Sequence, residues 1–541
     1  MLSRKAIAII LLLCLFYSCH IERDVTVISL QDNYDIVTPV NTKDLSPGFV
    51  FCTRIDSTGH IITEGIRRPA NQWIVYDLTQ NMLLDSFNLN VKQNLEINRV
   101  LPISHDTVLI AVNTVYDHDF QDGALLMIDR HGNISDTVKL DALPVRTKSH
   151  PMYNDAGRYY VFYCDFPLIF KRGKVFTPLI KWNEDGIMPA SFLGCVSKDG
   201  SRDWDFTKLP IACPKTDKNH YWSMFYSSPR AVATSEYVYA LFPNNSVIYR
   251  YSLSNNNTYH KKVKSSLISS ISPYKINEEA KQYDPYKARY ERVFCDTVNK
   301  RIYVTARIAC DTMDSPLALQ YNNFIYCFMM LDENLNLIGE GLIPEGYAPS
   351  IIPYRDGFLL FKKNCSHRTY TYFTPQIQTR KVSYLKNQID NRKYKWNQIA
   401  PKMSEKEALT SYLKNIVGKD FSKYSEFLIL SESSCFNCVP LYADFLKEHR
   451  QTFLDRSMAV VLINQDMDFI QKFVLWSDGE LRNPGQVKVS PQIPMYADTN
   501  QTFHRYFAYW VNARHIRYDN AGNIVSDTII NPSNLKYLIE Y

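Results

Sequence analysis

Tyr237-Val238-Tyr239-Ala240-Leu241, then Val247-Ile248-Tyr249-Arg250-Tyr251, then Ser252-Leu253-Ser254-Asn255-Asn256: this stretch decides how most of the chain is read. Two short runs of β-branched and aromatic residues are separated by turn formers, and Asn, Asp and Gly tolerate the positive φ that hairpin turns demand. The pattern recurs on both sides. Trp73-Ile74-Val75-Tyr76-Asp77, Leu125-Leu126-Met127-Ile128-Asp129, Arg301-Ile302-Tyr303-Val304 and Phe324-Ile325-Tyr326-Cys327-Phe328 read as strands. Asp129-Arg130-His131-Gly132-Asn133, Ser197-Lys198-Asp199-Gly200 and Leu331-Asp332-Glu333-Asn334 read as turns. Six units follow from this, near residues 36–90, 97–140, 150–215, 222–265, 290–343 and 346–386. Units of about 40–60 residues built from antiparallel strands predict an all-β propeller of about six blades over residues 35–386. A β-sandwich array is the competing fold. It is less favoured because no clean linker separates any pair of units. The Gly-His and Trp-Asp signatures of WD40 blades are missing.

Composition agrees with a folded, strand-rich chain of 541 residues, long enough for two or more domains. Aromatics make up 13%, with 37 Tyr and 28 Phe, and charged residues 21%. That balance excludes disorder and fibrous repeats. A net charge of +6 is spread thinly with no long basic run, so no nucleic-acid partner is expected.

The N-terminus reads as a targeting segment. Arg4 and Lys5 precede an apolar run from Ala6 to Phe16, too short to span a bilayer, and the run closes on Phe16-Tyr17-Ser18-Cys19. A small residue before a cysteine at that boundary resembles the bacterial lipobox. The resemblance implies that residues 1–18 are a lipoprotein signal peptide and that Cys19 carries the lipid. Residues 19–34 then read as a short polar tether. The alternative is an ordinary secretory signal with an incidental Cys19. His20 rather than Asp at the next position favours the outer membrane over the inner, facing the periplasm or the surface. No later stretch reaches transmembrane length.

After residue 386 the pattern changes. Residues 387–402 are polar and basic and read as a linker. Ser404-Glu405-Lys406-Glu407 is a capping box, followed by Leu409, Leu413, Ile416 and Val417 at helical spacing and then Gly418. Linker and helix fill residues 387–420, and a small α/β domain is expected over residues 421–541. Phe427-Leu428-Ile429-Leu430 reads as a buried strand, and Ser434-Cys435-Phe436-Asn437-Cys438-Val439-Pro440 leads into a helix bearing Leu441, Tyr442, Phe445 and Leu446. Ala459-Val460-Val461-Leu462-Ile463 is a second strand. Helices are expected over about 467–475 and from Phe503 to Tyr509, and a late hairpin turns across Asn520-Ala521-Gly522.

A cysteine pair at this spacing, with the first thiol at a helix N-terminus, is what dithiol chemistry needs, because unpaired amides and the helix dipole favour the thiolate. This region resembles the thioredoxin-like superfamily, in particular membrane-tethered thiol-disulfide oxidoreductases and peroxiredoxin-like proteins of bacterial envelopes. The resemblance implies catalytic roles for Cys435 as the attacking thiol and Cys438 as the resolving one. Asp519-Asn520-Ala521-Gly522-Asn523-Ile524 matches the family's late hairpin. In the family's terms, Ser434 replaces a Trp, Ile429 replaces a buried acid, and no proline stands near Ala513. A structural disulfide and a non-enzymatic fold used for contacts remain the alternatives. The whole layout also looks like uncharacterised envelope lipoproteins with six-bladed propellers, which implies a protein or small-ligand partner on the propeller.

Neither a metal nor a cofactor is expected. No second Cys-x-x-Cys or His pair accompanies Cys435 and Cys438. Asp117-His118-Asp119-Phe120-Gln121-Asp122-Gly123 has the wrong spacing for a calcium loop and reads as a solvated turn. Motifs of hydrolases, P-loop proteins and zinc proteases are missing. The remaining cysteines of the mature chain show no disulfide framework and read as small buried apolar residues.

Overall fold

Short β-branched and aromatic runs broken by Asp, Asn and Gly form strands that pair with their neighbours in sequence. A computed structural model describes residues 24–41, 50–56, 58–67, 72–90, 95–104, 106–116, 119–139, 169–182, 189–198, 204–217, 219–222, 224–268, 271–275, 287–309, 324–363, 367–399, 404–431, 438–463, 467–483, 492–499, 513–530 and 532–539. The chain forms two compact units: among the described residues the first runs to Asn391, apart from Phe324, which groups with the second, and the second runs from Arg392 onward.

In the first unit, β1 (Asp24–Asn41) precedes a series of antiparallel sheets. The first holds β2 (Val50–Ile55), β3 (Ile61–Arg67), β4 (Gln72–Asp77) and β5 (Met82–Asn88). The second holds β6 (Leu95–Ser104), β7 (Thr107–Tyr116), β8 (Asp119–Asp129) and β9 (Ile134–Lys139). The third holds β10 (Ile169–Lys171), β11 (Lys174–Trp182), β12 (Pro189–Lys198) and β13 (Trp204–Ala212). After β14 (His220–Tyr221) and the short helix α1 (Met224–Ser227), the fourth holds β15 (Arg230–Ala233), β16 (Tyr237–Leu241), β17 (Val247–Ser252) and β18 (Thr258–Lys262). Next, β19 (Tyr274–Lys275) pairs back to β14. The fifth set is β20 (Arg289–Asp296), β21 (Arg301–Arg307), β22 (Tyr326–Asp332) and β23 (Leu337–Leu342), and the sixth is β24 (Tyr347–Tyr354), β25 (Gly357–Lys362) and β26 (His367–Lys381).

The first strand of each set lies beside the first strand of the next: β2 by β6, β6 by β10, β10 by β15, β15 by β20, β20 by β24, and β24 again by β2. Six meanders whose inner strands close on themselves form a propeller-like unit. Apolar clusters fill the spaces between successive blades. Trp73, Val108, Ile110 and Leu126 join the first two, and Phe176, Leu193, Val238 and Phe242 join the third and fourth. Ile61 and Leu78 of the first blade pack with Leu359, Tyr370 and Tyr372 of the last, which closes the circle.

The expected tether over residues 19–34 is corrected in its described part: residues 24–34 belong to β1. This strand pairs antiparallel with β26 from Asp24 opposite Lys381 to Asn41 opposite His367, supplying the fourth strand of the last blade. The first blade therefore begins at Val50 rather than near residue 36. β1 also meets β23 in parallel at Val27 and Glu340, fusing the last two blades into one eight-stranded sheet. Gly341 permits this crossing, since a Cβ there would stand 2.1 Å from the Ile28 carbonyl oxygen. A strand whose partner lies more than 300 residues away in sequence leaves no local trace, which is why the segment reads as a tether.

One hairpin recurs. Asp56, Asp129, Asp332 and Asp519 each accept backbone N–H bonds of 2.7–2.9 Å from two to four residues onward. The fourth residue of each loop takes positive φ; three are glycines and the other is Leu335. Of the turn expected over residues 117–123, residues 119–123 lie in β8, with Asp119 opposite Tyr116, and 117 and 118 lie outside the described residues.

Residues 382–399 form a continuous helix, α2 (Val382–Ile399), where a linker is expected from residue 387. It has no Gly or Pro, and among its described side chains only Leu385 and Ile389 are buried, too few to stand out from its polar residues.

In the second unit, α3 (Glu405–Val417) starts at Ser404 with the capping box in place. It is followed by β27 (Glu426–Ser431), α4 (Cys438–Glu448), α5 (Arg450–Asp455), β28 (Met458–Ile463), α6 (Met467–Trp476), β29 (Gly479–Arg482), β30 (Ile493–Asp498), β31 (Ala513–Tyr518) and β32 (Ile524–Ile530). The sheet order is β29-β30-β28-β27-β31-β32. β27 runs parallel to β28 and antiparallel to β31, and β28, β30 and β29 are mutually parallel. Both faces are covered, as the apolar runs of parallel strands require. Ala408, Leu409, Tyr412 and Leu413 of α3 pack on Phe427, Ile429, Val461 and Ile463. Tyr442, Ala443 and Leu446 of α4 pack on Leu428, Leu430, Val460 and Leu462. The helix expected from Phe503 to Tyr509 lies outside the described residues.

Candidate functional site

Of the residues singled out by sequence, Cys19 and Cys435 lie outside the described residues. Cys438 is the first residue of α4, and its side chain is likewise outside them. The setting of α4 is described. The helix follows β27 in the chain and starts at the edge of the sheet where β27, β28 and β30 end. Ser431, Ile463 and Asp498 are level with one another there. Pro440 sits in the first turn, where amides have no intrahelical partner. The Tyr442 hydroxyl donates to the Ile530 carbonyl at 3.1 Å and ties the helix to β32. Ile429 is buried among apolar side chains, so β27 offers no carboxylate at that position. A buried acid does occur on the same sheet: Asp498 accepts a 3.0 Å hydrogen bond from Tyr412 of α3.

At the opposite end of β27, Glu426 is buried and accepts from His515 Nε2 at 2.8 Å and from Arg456 Nε at 3.0 Å. Burial acts to raise this carboxyl; the His515 and Arg456 hydrogen bonds outweigh it and hold the group below the usual carboxylate range. A depressed folded pKa contributes stability that is complete above the unfolded value and lost as pH falls through the folded one. The unit should therefore weaken as pH drops below about 4.5. Glu426→Gln should cost about 3 kcal/mol at pH 7, because Arg456 and His515 lose a buried partner. Urea unfolding of both proteins at pH 7 and pH 4 checks this, with the difference between them shrinking at the lower pH.

The described cysteines behave as small apolar residues. Cys213, Cys295 and Cys327 form no disulfide, and burial pushes all three thiols up, Cys213 to about 12. Among the described residues no group of three or more His, Cys, Asp or Glu could hold a metal. Within the same residues no helix is long and apolar enough to cross a membrane.

The first unit contains a charged cluster that sequence reasoning missed. Arg289 opens β20 and stands opposite Arg307, the last residue of β21, which stands opposite Tyr326. Like charges facing each other across strands are unfavourable unless something compensates. The register slips between Tyr290 and Arg292, so Glu291 is the extra residue of a β-bulge, a device that re-aims a side chain. Its carboxylate accepts from Arg289 Nε at 2.6 Å. Burial acts to raise the Glu291 carboxyl, and Arg289, Arg307 and Arg230, in that order, outweigh it and hold it below the usual range. Arg230 opens β15 on the neighbouring blade. Arg307 is fully buried and donates to the Tyr226 hydroxyl at 3.3 Å and the Lys287 carbonyl at 3.1 Å. Tyr226 in turn stacks on Trp222 and meets Tyr274 edge-on, with the Lys287 ammonium 3.3 Å above the Tyr274 ring. The signal available in sequence was slight: an arginine or glutamate at the end of an otherwise apolar strand.

No known family profile matches the chain, and no curated protein is significantly similar to it. Among solved structures, a DUF4221 family member from Bacteroides vulgatus is similar at 11% identity, covering 65% of this chain and 99% of its own, with a TM-score of 0.44. A luciferin-regenerating enzyme is similar at 10% identity, with 63% and 95% coverage and a TM-score of 0.31. The Cps50 (Swd1) β-propeller domain of Myceliophteria thermophila shows 10% identity, 62% and 99% coverage and a TM-score of 0.28. Likeness at this level carries no functional argument. The propeller-like assignment rests on the strand order and closure given above.

Proposed function

We propose that the protein is a lipid-anchored envelope protein, held at the membrane through Cys19. Its propeller-like unit binds a protein or small ligand, and its C-terminal unit exchanges thiols and disulfides. The observation that carries the second half is the position of α4, which opens on Cys438 after the central strand β27, at the edge where the parallel strands end. The order β28-β27-β31-β32, parallel then antiparallel, supports a thioredoxin-like reading of this unit.

In this reading the Cys435 thiolate attacks a substrate disulfide, forming a mixed disulfide and releasing one substrate thiolate. The Cys438 thiolate then attacks the Cys435 sulfur and releases the second. Two electrons pass to the substrate and the protein pair is left oxidised. Insulin reduction by the full chain, with dithiothreitol as electron source, tests it. Wild type should turn over and Cys435→Ser should not.

Buried, apolar Ile429 favours a second reading, a non-enzymatic binding protein, because the family's proton acceptor is missing from that position. Equal rates for wild type and Cys435→Ser would select it.

A further inference from the structure

We propose that Arg289, Arg307 and Arg230, with the Tyr226 hydroxyl, form a binding site for the oxyanion of a small ligand, a carboxylate or a phosphate, at the end of the fourth and fifth blades where β15 and β20 begin. The inference deepens the reading of the first unit as a binding unit and is independent of the dithiol. Guanidinium groups match carboxylate and phosphate oxygens through paired N–H donors, and such bonds strengthen where water is excluded. Here Arg289 and Arg307 stand opposite each other across β20 and β21, Arg230 opens the first strand of the adjoining blade, and all three arginines are buried. Arg289 is oriented by Glu291, which accepts from its Nε at 2.6 Å.

A second observation points the same way. Ser227, fully buried on the helix that brings Tyr226 to Arg307, has a hydroxyl with no hydrogen-bond partner among the described residues. The indole N–H of Trp222, whose ring stacks on Tyr226, is buried without one among the same residues. Unmet buried donors of this kind call for an acceptor. The β-bulge at Glu291 is a further mark of a site, since bulges cluster where side chains are aimed at ligands.

Calorimetric titration of the full chain with inorganic phosphate, glucuronate and glucose tests the inference. At least one of the two anions should bind, and tighter than glucose by about tenfold, the worth of one charge-assisted hydrogen bond. Binding of phosphate alone identifies a phosphoryl ligand, and of glucuronate alone a carboxylate. Arg307→Met should weaken the anion by about tenfold or more. Should that variant fail to fold, Tyr226→Phe, which removes a single hydroxyl, should weaken it about threefold or more. No binding of either anion, glucose binding as tight as that of the anion that binds, or unchanged affinity in the folded variants overturns the proposal. Glucose binding would still leave a binding unit standing, and insulin reduction on the same samples reads the dithiol separately.

Discussion

Removal of residues 1–41 is expected to unfold the propeller-like unit rather than trim it. β1 is the fourth strand of the last blade, hydrogen-bonded to β26 along most of its length. Val27 and Ile28 are neighbours in sequence, and both are 1% exposed, because the strand is covered on both faces where it meets β23. Ile28 packs with Tyr303, Phe328, Met330, Phe358 and Phe373, a cluster shared by the fifth and sixth blades. Each aliphatic side chain contributes about 1.5–3 kcal/mol on burial. Two of them, with the ladder bonds, amount to a large part of the 5–15 kcal/mol that usually holds a domain together. The cut would also expose β26 as a long unpaired edge, open to pairing with other chains. Thermal unfolding and gel filtration should show a lost cooperative transition and aggregates. Ile28→Asp should reproduce much of the effect. An unchanged transition after truncation would mean that β1 does not close the ring.

Cys435→Ser is expected to lower disulfide reduction by the full chain by about a hundredfold or more, since a hydroxyl cannot form the mixed disulfide. Cys438→Ser should behave differently. The first thiol can still attack, but the second step is lost, so a covalent adduct with the substrate accumulates. Non-reducing electrophoresis separates the two outcomes: an adduct with Cys438→Ser, and none with Cys435→Ser. Loss of activity in both variants without an adduct would assign the pair a structural role.

Blade strands and hairpins were legible because each is local. The Asp129 and Asp332 loops announce themselves through residues that cap their own turns. β27 and β28 were legible because each holds an unbroken apolar run of strand length, and α6 because Phe469, Ile470, Phe473 and Val474 recur at helical spacing. What sequence concealed depends on distant partners. β1 becomes a strand only because β26 waits with an open edge, and α2 is a helix whose described side chains bury only Leu385 and Ile389. The arginine cluster is assembled from three strands on two blades, so nothing in the spacing of Arg230, Glu291 and Arg307 links them. The spacing of Cys435 and Cys438, by contrast, is contained in four consecutive residues and is legible without the fold.

The most direct measurement is a redox titration of the full chain in glutathione or dithiothreitol buffers, with alkylation and mass analysis of the peptide carrying Cys435 and Cys438. The proposed exchange requires one two-electron couple, both thiols appearing and vanishing together, at a potential between about −270 and −120 mV. Thiols that titrate independently, or a bond that resists reduction far below that range, would contradict it.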